Sequence, residues 1–176
     1  MTPTVDQQLF RQTLSQFATG VTVVSFMRDG EVCGMTVNSF ASVSLDPPLI
    51  LFCPALTTRF ALDSRLAEPF TVSILAENQK TICQHYAGRG GPDLQPWQEG
   101  ETPPVVAGCI AWLRCRTTAF HTHGDHLVVI GGVSEFGTQS AGNPLLFFRG
   151  EYPMLTADSE KASSNLDESY QQEGRS

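Results

Sequence analysis

Val21-Thr22-Val23-Val24-Ser25-Phe26-Met27, then Arg28-Asp29-Gly30, then Glu31-Val32-Cys33-Gly34-Met35-Thr36-Val37 is the stretch that decides the fold. Both outer runs are rich in β-branched and apolar residues, and the Asp-Gly pair between them suits a tight turn with positive φ. Two antiparallel strands are expected there, and a chain that repeats this pattern builds a sheet of hairpin-joined strands rather than an α/β layer structure.

The rest of the chain repeats it. Upstream, Thr4-Val5-Asp6-Gln7 reads as a capping box, and Leu9, Phe10, Leu14 and Phe17 recur at helical spacing until Gly20, which predicts an amphipathic helix. Downstream, Asp46-Pro47-Pro48 interrupts regular structure and Leu49 to Cys53 reads as a short buried strand. Thr57 or Thr58 can cap a helix running to about Ala67, Phe70 to Leu75 returns as a strand, and Ala76 to Ala87 is helical again. Gly88 to Pro104 is a Gly/Pro-rich connection of the kind that serves as a lid or a partner arm. Ile110 to Phe120 and Leu127 to Phe136 form a second hairpin around His123-Gly124-Asp125-His126, and Leu145 to Phe148 is the last strand.

From Ala157 the chain is mostly Ser, Glu, Asp and Gln, too polar to offset the entropy of ordering. The expected organisation is one domain over 1–156 and a disordered polar tail over 157–176. For the domain, a closed antiparallel barrel decorated by helices is preferred over an α/β sheet.

Composition narrows the function. With 41% hydrophobic and 16% charged residues the chain has a packed core, and its net charge of −7 without a Lys/Arg cluster disfavours nucleic acid and acidic membrane surfaces as partners. No signal-like start or membrane-length apolar run is present, so a cytoplasmic location is expected. Cys33, Cys53, Cys83, Cys109 and Cys115 are scattered and odd in number, which fits buried thiols in a reducing compartment.

The familiar hydrolase, phosphate-loop, dinucleotide-fold and zinc-protease signatures are all missing from the sequence. His121, His123 and His126 are close in sequence, but with Asp125 as the only local carboxylate a hairpin tip is favoured over a metal site. Gly34 to Ser44 interleaves small polar residues with Met35, Val37, Phe40 and Val43. Thr36 and Asn38 fall on one strand face, and Gly34 permits close approach of a flat ligand. That stretch reads equally as the seat of an aromatic heterocycle or as a polar strand-to-loop turn. Thr57-Thr58-Arg59 could hold a phosphate, although a capped helix with a solvated Arg59 is the simpler reading.

Three linked runs resemble one family: Phe17-Ala18-Thr19-Gly20-Val21-Thr22-Val23-Val24, then Gly34-Met35-Thr36-Val37-Asn38-Ser39-Phe40, then Ser42-Val43-Ser44-Leu45-Asp46-Pro47-Pro48-Leu49. With Gly124-Asp125-His126 and Pro144-Leu145-Leu146-Phe147-Phe148-Arg149-Gly150 plus Tyr152, they are similar to the short-chain flavin reductases over nearly the whole chain. The resemblance implies a split antiparallel β-barrel of Greek-key type, a homodimer that uses NADH or NADPH to reduce loosely held FMN or FAD for a partner monooxygenase. It implies that Met35, Thr36, Val37, Asn38 and Ser39 border the isoalloxazine. Cys53, Pro54, Ala55, Thr57, Thr58 and Arg59 would lie beside the ribityl phosphate, and His126 near the nicotinamide. Two departures stand out: Ser73 replaces the Asn that many members carry in that strand, and the connection after Ala87 lacks a Phe for which Trp97 is the available substitute. The alternatives are an FMN-dependent oxidase of the pyridoxamine-phosphate oxidase type, a non-catalytic flavin- or haem-binding barrel, and an interaction subunit of a monooxygenase.

Overall fold

The opening hairpin forms as its residues dictate. Strands β2 (Thr22–Arg28) and β3 (Glu31–Val37) pair antiparallel with Arg28 opposite Glu31, and Asp29 and Gly30 turn the chain with φ of 52° and 85°. The computed structural model describes residues 5–62, 69–90, 94–100, 103–139 and 141–155. The remaining strands are β1 (Thr19–Gly20), β4 (Ala41–Leu45), β5 (Pro48–Phe52), β6 (Pro69–Ile74), β7 (Ala111–His123), β8 (His126–Thr138) and β9 (Leu146–Phe147). Helices are α1 (Gln7–Leu14), α2 (Arg59–Leu62) and α3 (Lys80–Tyr86), with a 3-10 turn at Glu77–Gln79.

Seven strands form one antiparallel sheet in the order β3-β2-β6-β7-β8-β5-β4, and β1 pairs separately with β9. Strands β3 and β4 are thus the two edges, yet only Asn38, Ser39 and Phe40 join them. The four residue steps from Val37 to Ala41 span at most about 14 Å, whereas the edges of a flat seven-stranded sheet stand about 29 Å apart. The sheet must therefore curl until β3 and β4 meet at that link. No ladder joins them among the described residues, so the barrel is split, as the family resemblance implies and unlike the closed barrel that strand periodicity alone favours.

Inward-facing residues alternate along the strands: Val24 and Phe26, Cys33, Met35 and Val37, Ile50 and Phe52, Phe70 and Val72 are all buried in one cluster. Phe60 of α2 enters the same cluster, its ring 5.2 Å from Phe26, 5.3 Å from Phe52 and 5.9 Å from Phe70. Edge-to-face pairs of this kind add about 0.5–1.5 kcal/mol each beyond area burial. A second cluster lies outside the barrel, where Val21, Val23, Leu75 and Cys83 meet Val105, Val106, Cys109 and Leu145.

Several sequence expectations are corrected. The first helix stops at Leu14 with Ser15 as its C-cap, and its N-cap is Asp6, whose carboxylate accepts from the Gln8 and Leu9 amides at 2.9 and 3.1 Å. Thr4 lies outside the described residues. The apolar face of α1 is not buried: Leu9, Phe10, Leu14 and Phe17 remain 53–78% exposed in the single chain. Strand β4 was not anticipated, because four of its five residues are exposed and no alternation marks it. Pro48 opens β5 opposite Leu45, so the interruption is confined to the cis Asp46–Pro47 turn. The helix expected to Ala67 is described only as far as Leu62, and residues 63–68 lie outside the described set, as does the expected tail.

Candidate active site

Along β3 lies a cavity of about 1040 Å³. One wall is Glu31 to Met35 of β3; facing it are Thr57, Thr58, Arg59 and Phe60; His85 to Gly88 at the end of α3 and Leu94, Gln95 and Trp97 complete it. An edge strand presents backbone N–H and C=O groups that no neighbouring strand takes up, so this wall offers alternating donors and acceptors. Burial of Phe60 in the barrel core anchors α2 and thereby sets Arg59 at the cavity.

The predicted residues are divided by this geometry. Met35 and Val37 turn their side chains into the barrel core, so only their backbone can meet a ligand. The Thr36 hydroxyl donates to the Cys83 carbonyl at 2.7 Å and ties β3 to α3. The Ser39 hydroxyl accepts from the Cys53 amide at 3.0 Å and donates to the Cys53 carbonyl at 3.2 Å. Both hydroxyls are thus engaged by backbone. Asn38 is exposed. Thr36 and Asn38 line a separate recess of about 180 Å³ with Cys83, Arg89, Phe147 and Tyr152.

Of the phosphate candidates, Thr58 acts as a cap, donating to the Ala55 carbonyl at 2.8 Å and accepting from the Ala61 amide at 3.3 Å. Thr57 and Arg59 are exposed at the cavity. Cys53 is half-buried, and burial raises its thiol pKa against the opposing effect of Ser39. Pro54 is buried; its carbonyl accepts from the Leu127 amide at 2.9 Å, and Ala55 bridges to His126. Contacts between these backbones bring the β5–α2 connection to the β7–β8 turn, regions far apart in sequence. His126 is not in the cavity wall. Its Nδ1 lies 2.7 Å from the Asp125 carboxylate, and that hydrogen bond holds the Asp125 pKa below its ordinary value. The His121 and His123 rings are 6.5 Å apart, and no group of three or more possible metal ligands occurs among the described residues.

Gly34 has a different role from the one its sequence position implied. A Cβ there would stand 2.6 Å from Tyr86 Cδ1 and 3.1 Å from Trp97 Cη2, so the chain's own rings cover this point of β3. Trp97 is held by the segment that follows it. Gln98 N–H donates to the Val105 carbonyl and Ala107 N–H to the Pro96 carbonyl, and Val106 N–H donates to Ser73 Oγ at 3.0 Å. Ser25 and Thr71 hydroxyls donate to the Pro104 and Pro103 carbonyls at 2.6 and 2.8 Å. Ser73, which stands where many members carry Asn, is fully buried and holds this strap. Tyr86, His85, Glu31 and Gln95 were not foreseen as site residues, because nothing in their local sequence marks the cavity.

The architecture and the linked runs coincide with one family: the flavin reductase like domain matches residues 14–156. The chain belongs to that family. It is 36% identical over 157 residues to the reductase subunit of a flavin-dependent monooxygenase from Rhodococcus jostii, covering 88% of this chain and 80% of the relative. Its structure matches the flavin reductase PheA2 with a TM-score of 0.80 at 33% identity, covering 86% of this chain and 99% of that one. It also matches an NADH:FAD oxidoreductase from Streptomyces globisporus, solved with NAD and FAD fragments, with a TM-score of 0.80 at 33% identity over 88% and 95% of the two chains. Membership accounts for the split barrel.

Proposed function

We infer that this chain is an NAD(P)H-dependent flavin reductase that supplies reduced flavin to a partner monooxygenase. The observation that carries the reading is the cavity along the unpaired edge of β3, closed on its far side by Thr57 and Arg59. A flavin's pyrimidine edge alternates donors and acceptors, as a strand edge does, and its phosphate needs a cation and a hydroxyl. The residues at the cavity fit both needs, with Met35 serving through its backbone and Thr57 and Arg59 facing the phosphate.

When bound, flavin supplies a hydride acceptor for the nicotinamide. Arg59 and Thr57 hold the phosphate, and β3 amides facing the pyrimidine edge stabilise negative charge there. His126, held by Asp125 at the margin of the β5–α2 connection, would orient the dinucleotide by hydrogen bonding. An open split lets both ligands enter and reduced flavin leave.

The domain is residues 1–156, working as a cytoplasmic homodimer. Dimerisation is supported by the large apolar side chains left exposed, including Phe17 at 78%, Leu45 at 91% and Phe136 at 76%. Five free cysteines suit a reducing compartment.

The test is turnover. Purified protein with NADH or NADPH and FMN, FAD or riboflavin is expected to consume the nicotinamide, read as loss of its absorbance. Absence of turnover with every pairing would refute the reading.

A further inference from the structure

We propose that Tyr86 and Trp97, beside Gly34, form the seat of an adenine ring, so that the large cavity takes the adenylate half of a dinucleotide. This deepens the flavin reductase reading and rests on it. The flavin ring and its phosphate are provided for by β3, Thr57 and Arg59, and the aromatic pair beside Gly34 is a further feature of the same cavity. The cavity, about 1040 Å³, lies at the top of the usual small-molecule range of roughly 300–1,000 Å³, which is room for a dinucleotide.

The ring pair is built rather than incidental. The Tyr86 and Trp97 centroids are 5.2 Å apart with planes inclined at 42°, and both rings line the cavity. Tyr86 reaches this place only because residue 34 has no Cβ. Its hydroxyl donates to the Leu94 carbonyl at 3.2 Å, which joins α3 to the strap. Trp97 is bridged to Val106, which is fully buried and bonded to Ser73. Rings fixed beforehand lose little freedom when a base stacks on them.

The other polar residues of the cavity point the same way. Glu31 and Gln95 line the cavity with the two rings. A carboxylate repels phosphate but accepts from an exocyclic amine, and an amide both donates and accepts. Adenine carries that amine and ring-nitrogen acceptors; isoalloxazine has no exocyclic amine. The phosphates therefore belong at Arg59 and the purine at Tyr86 and Trp97. FAD and NAD(P)H both bring an adenylate.

ADP is the probe, with ribose 5-phosphate as the control without a base. Trp97 is one of two tryptophans, so ADP is expected to quench the emission of the wild-type protein. Quenching is lost in Trp97→Ala, whereas ribose 5-phosphate has no effect on either protein. In steady state, Trp97→Ala and Tyr86→Ala are expected to raise the KM for one dinucleotide about ten-fold, the size of losing one stacked base, with the KM for FMN held. A rise for FAD assigns the seat to the flavin dinucleotide; a rise for NADH or NADPH assigns it to the hydride donor. Equal rises for FMN, FAD and riboflavin, or no rise together with no ADP quench, overturn the proposal. Trp97→Phe, which keeps a ring, restores the KM if stacking is the cause, and ADP binding to the wild type decides the matter should the Ala variants not fold. Lack of flavin turnover with ADP quenching intact would reject the reductase reading while retaining the seat.

Discussion

The two faces of β2 and β6 do different work although both are buried. Inward, Val24, Phe26, Phe70 and Val72 meet the barrel interior, where apolar packing has no preferred direction. Outward, Ser25, Thr71 and Ser73 are fully buried and bond to one strap through directed hydroxyls. The difference teaches that the barrel's existence and the position of the cavity wall rest on separate interactions in the same strands. Non-directional burial holds the sheet closed; directional bonds decide where Trp97 stands.

The largest effect expected of any change that breaks this division is on the interior. Phe60→Ala removes the ring that three other phenylalanines touch and should cost about 3–5 kcal/mol of unfolding free energy, measured by denaturant titration. It should also weaken flavin binding, because Arg59 and Thr57 lose their anchor.

Ser73→Ala acts on the other face. It leaves the buried Val106 amide without its acceptor and should cost about 1–3 kcal/mol, less than Phe60→Ala. The barrel should persist by circular dichroism, with hydrogen exchange accelerated at the Val106 amide. A Ser73→Ala protein as stable as the wild type with that amide still protected would erase the distinction between the faces.

The smallest effect concerns the thiols. Burial pushes the Cys115 pKa from 9.0 up to about 12 and that of Cys109 up to about 11. Both thiols are therefore protonated in the native protein at neutral pH. Their contribution to stability is complete below the unfolded value near 9 and is lost as pH rises toward 11 and 12. A thiol reagent at mildly alkaline pH should react slowly with the native protein and with all five cysteines after unfolding. Rapid labelling of Cys115 in the native state would show that the interior opens as readily as the strap.

Much of the fold was legible because strands packed on a barrel alternate or run continuously apolar, and because Asp29-Gly30 and Gly124-Asp125 mark their turns. The β2–β3 and β7–β8 hairpins, β6 and α3 were all read from such signals. Strand β4 was not, since Ser42, Val43 and Leu45 lie exposed and carry no burial pattern. The site was read in part. Arg59 and Thr57 stand at the cavity, and His126 adjoins the same connection, while the Thr36 and Ser39 hydroxyls bond backbone. A hydroxyl's partner is chosen by whichever acceptor packing brings within reach, and local sequence carries no record of that.

By itself the sequence determined the antiparallel hairpins, the buried character of four of the five cysteines and, through the linked runs from Phe17 to Leu49, the family. Those follow from local periodicity, turn stereochemistry and residue identity, which are properties of short segments. Only the tertiary structure decided that β3 is an edge of the sheet, that Gly34 makes room for Tyr86 and Trp97, and that Ser73 fastens the strap that holds them. Each of these joins residues from distant parts of the chain, and such meetings are fixed by how the curled sheet brings its edges and faces together.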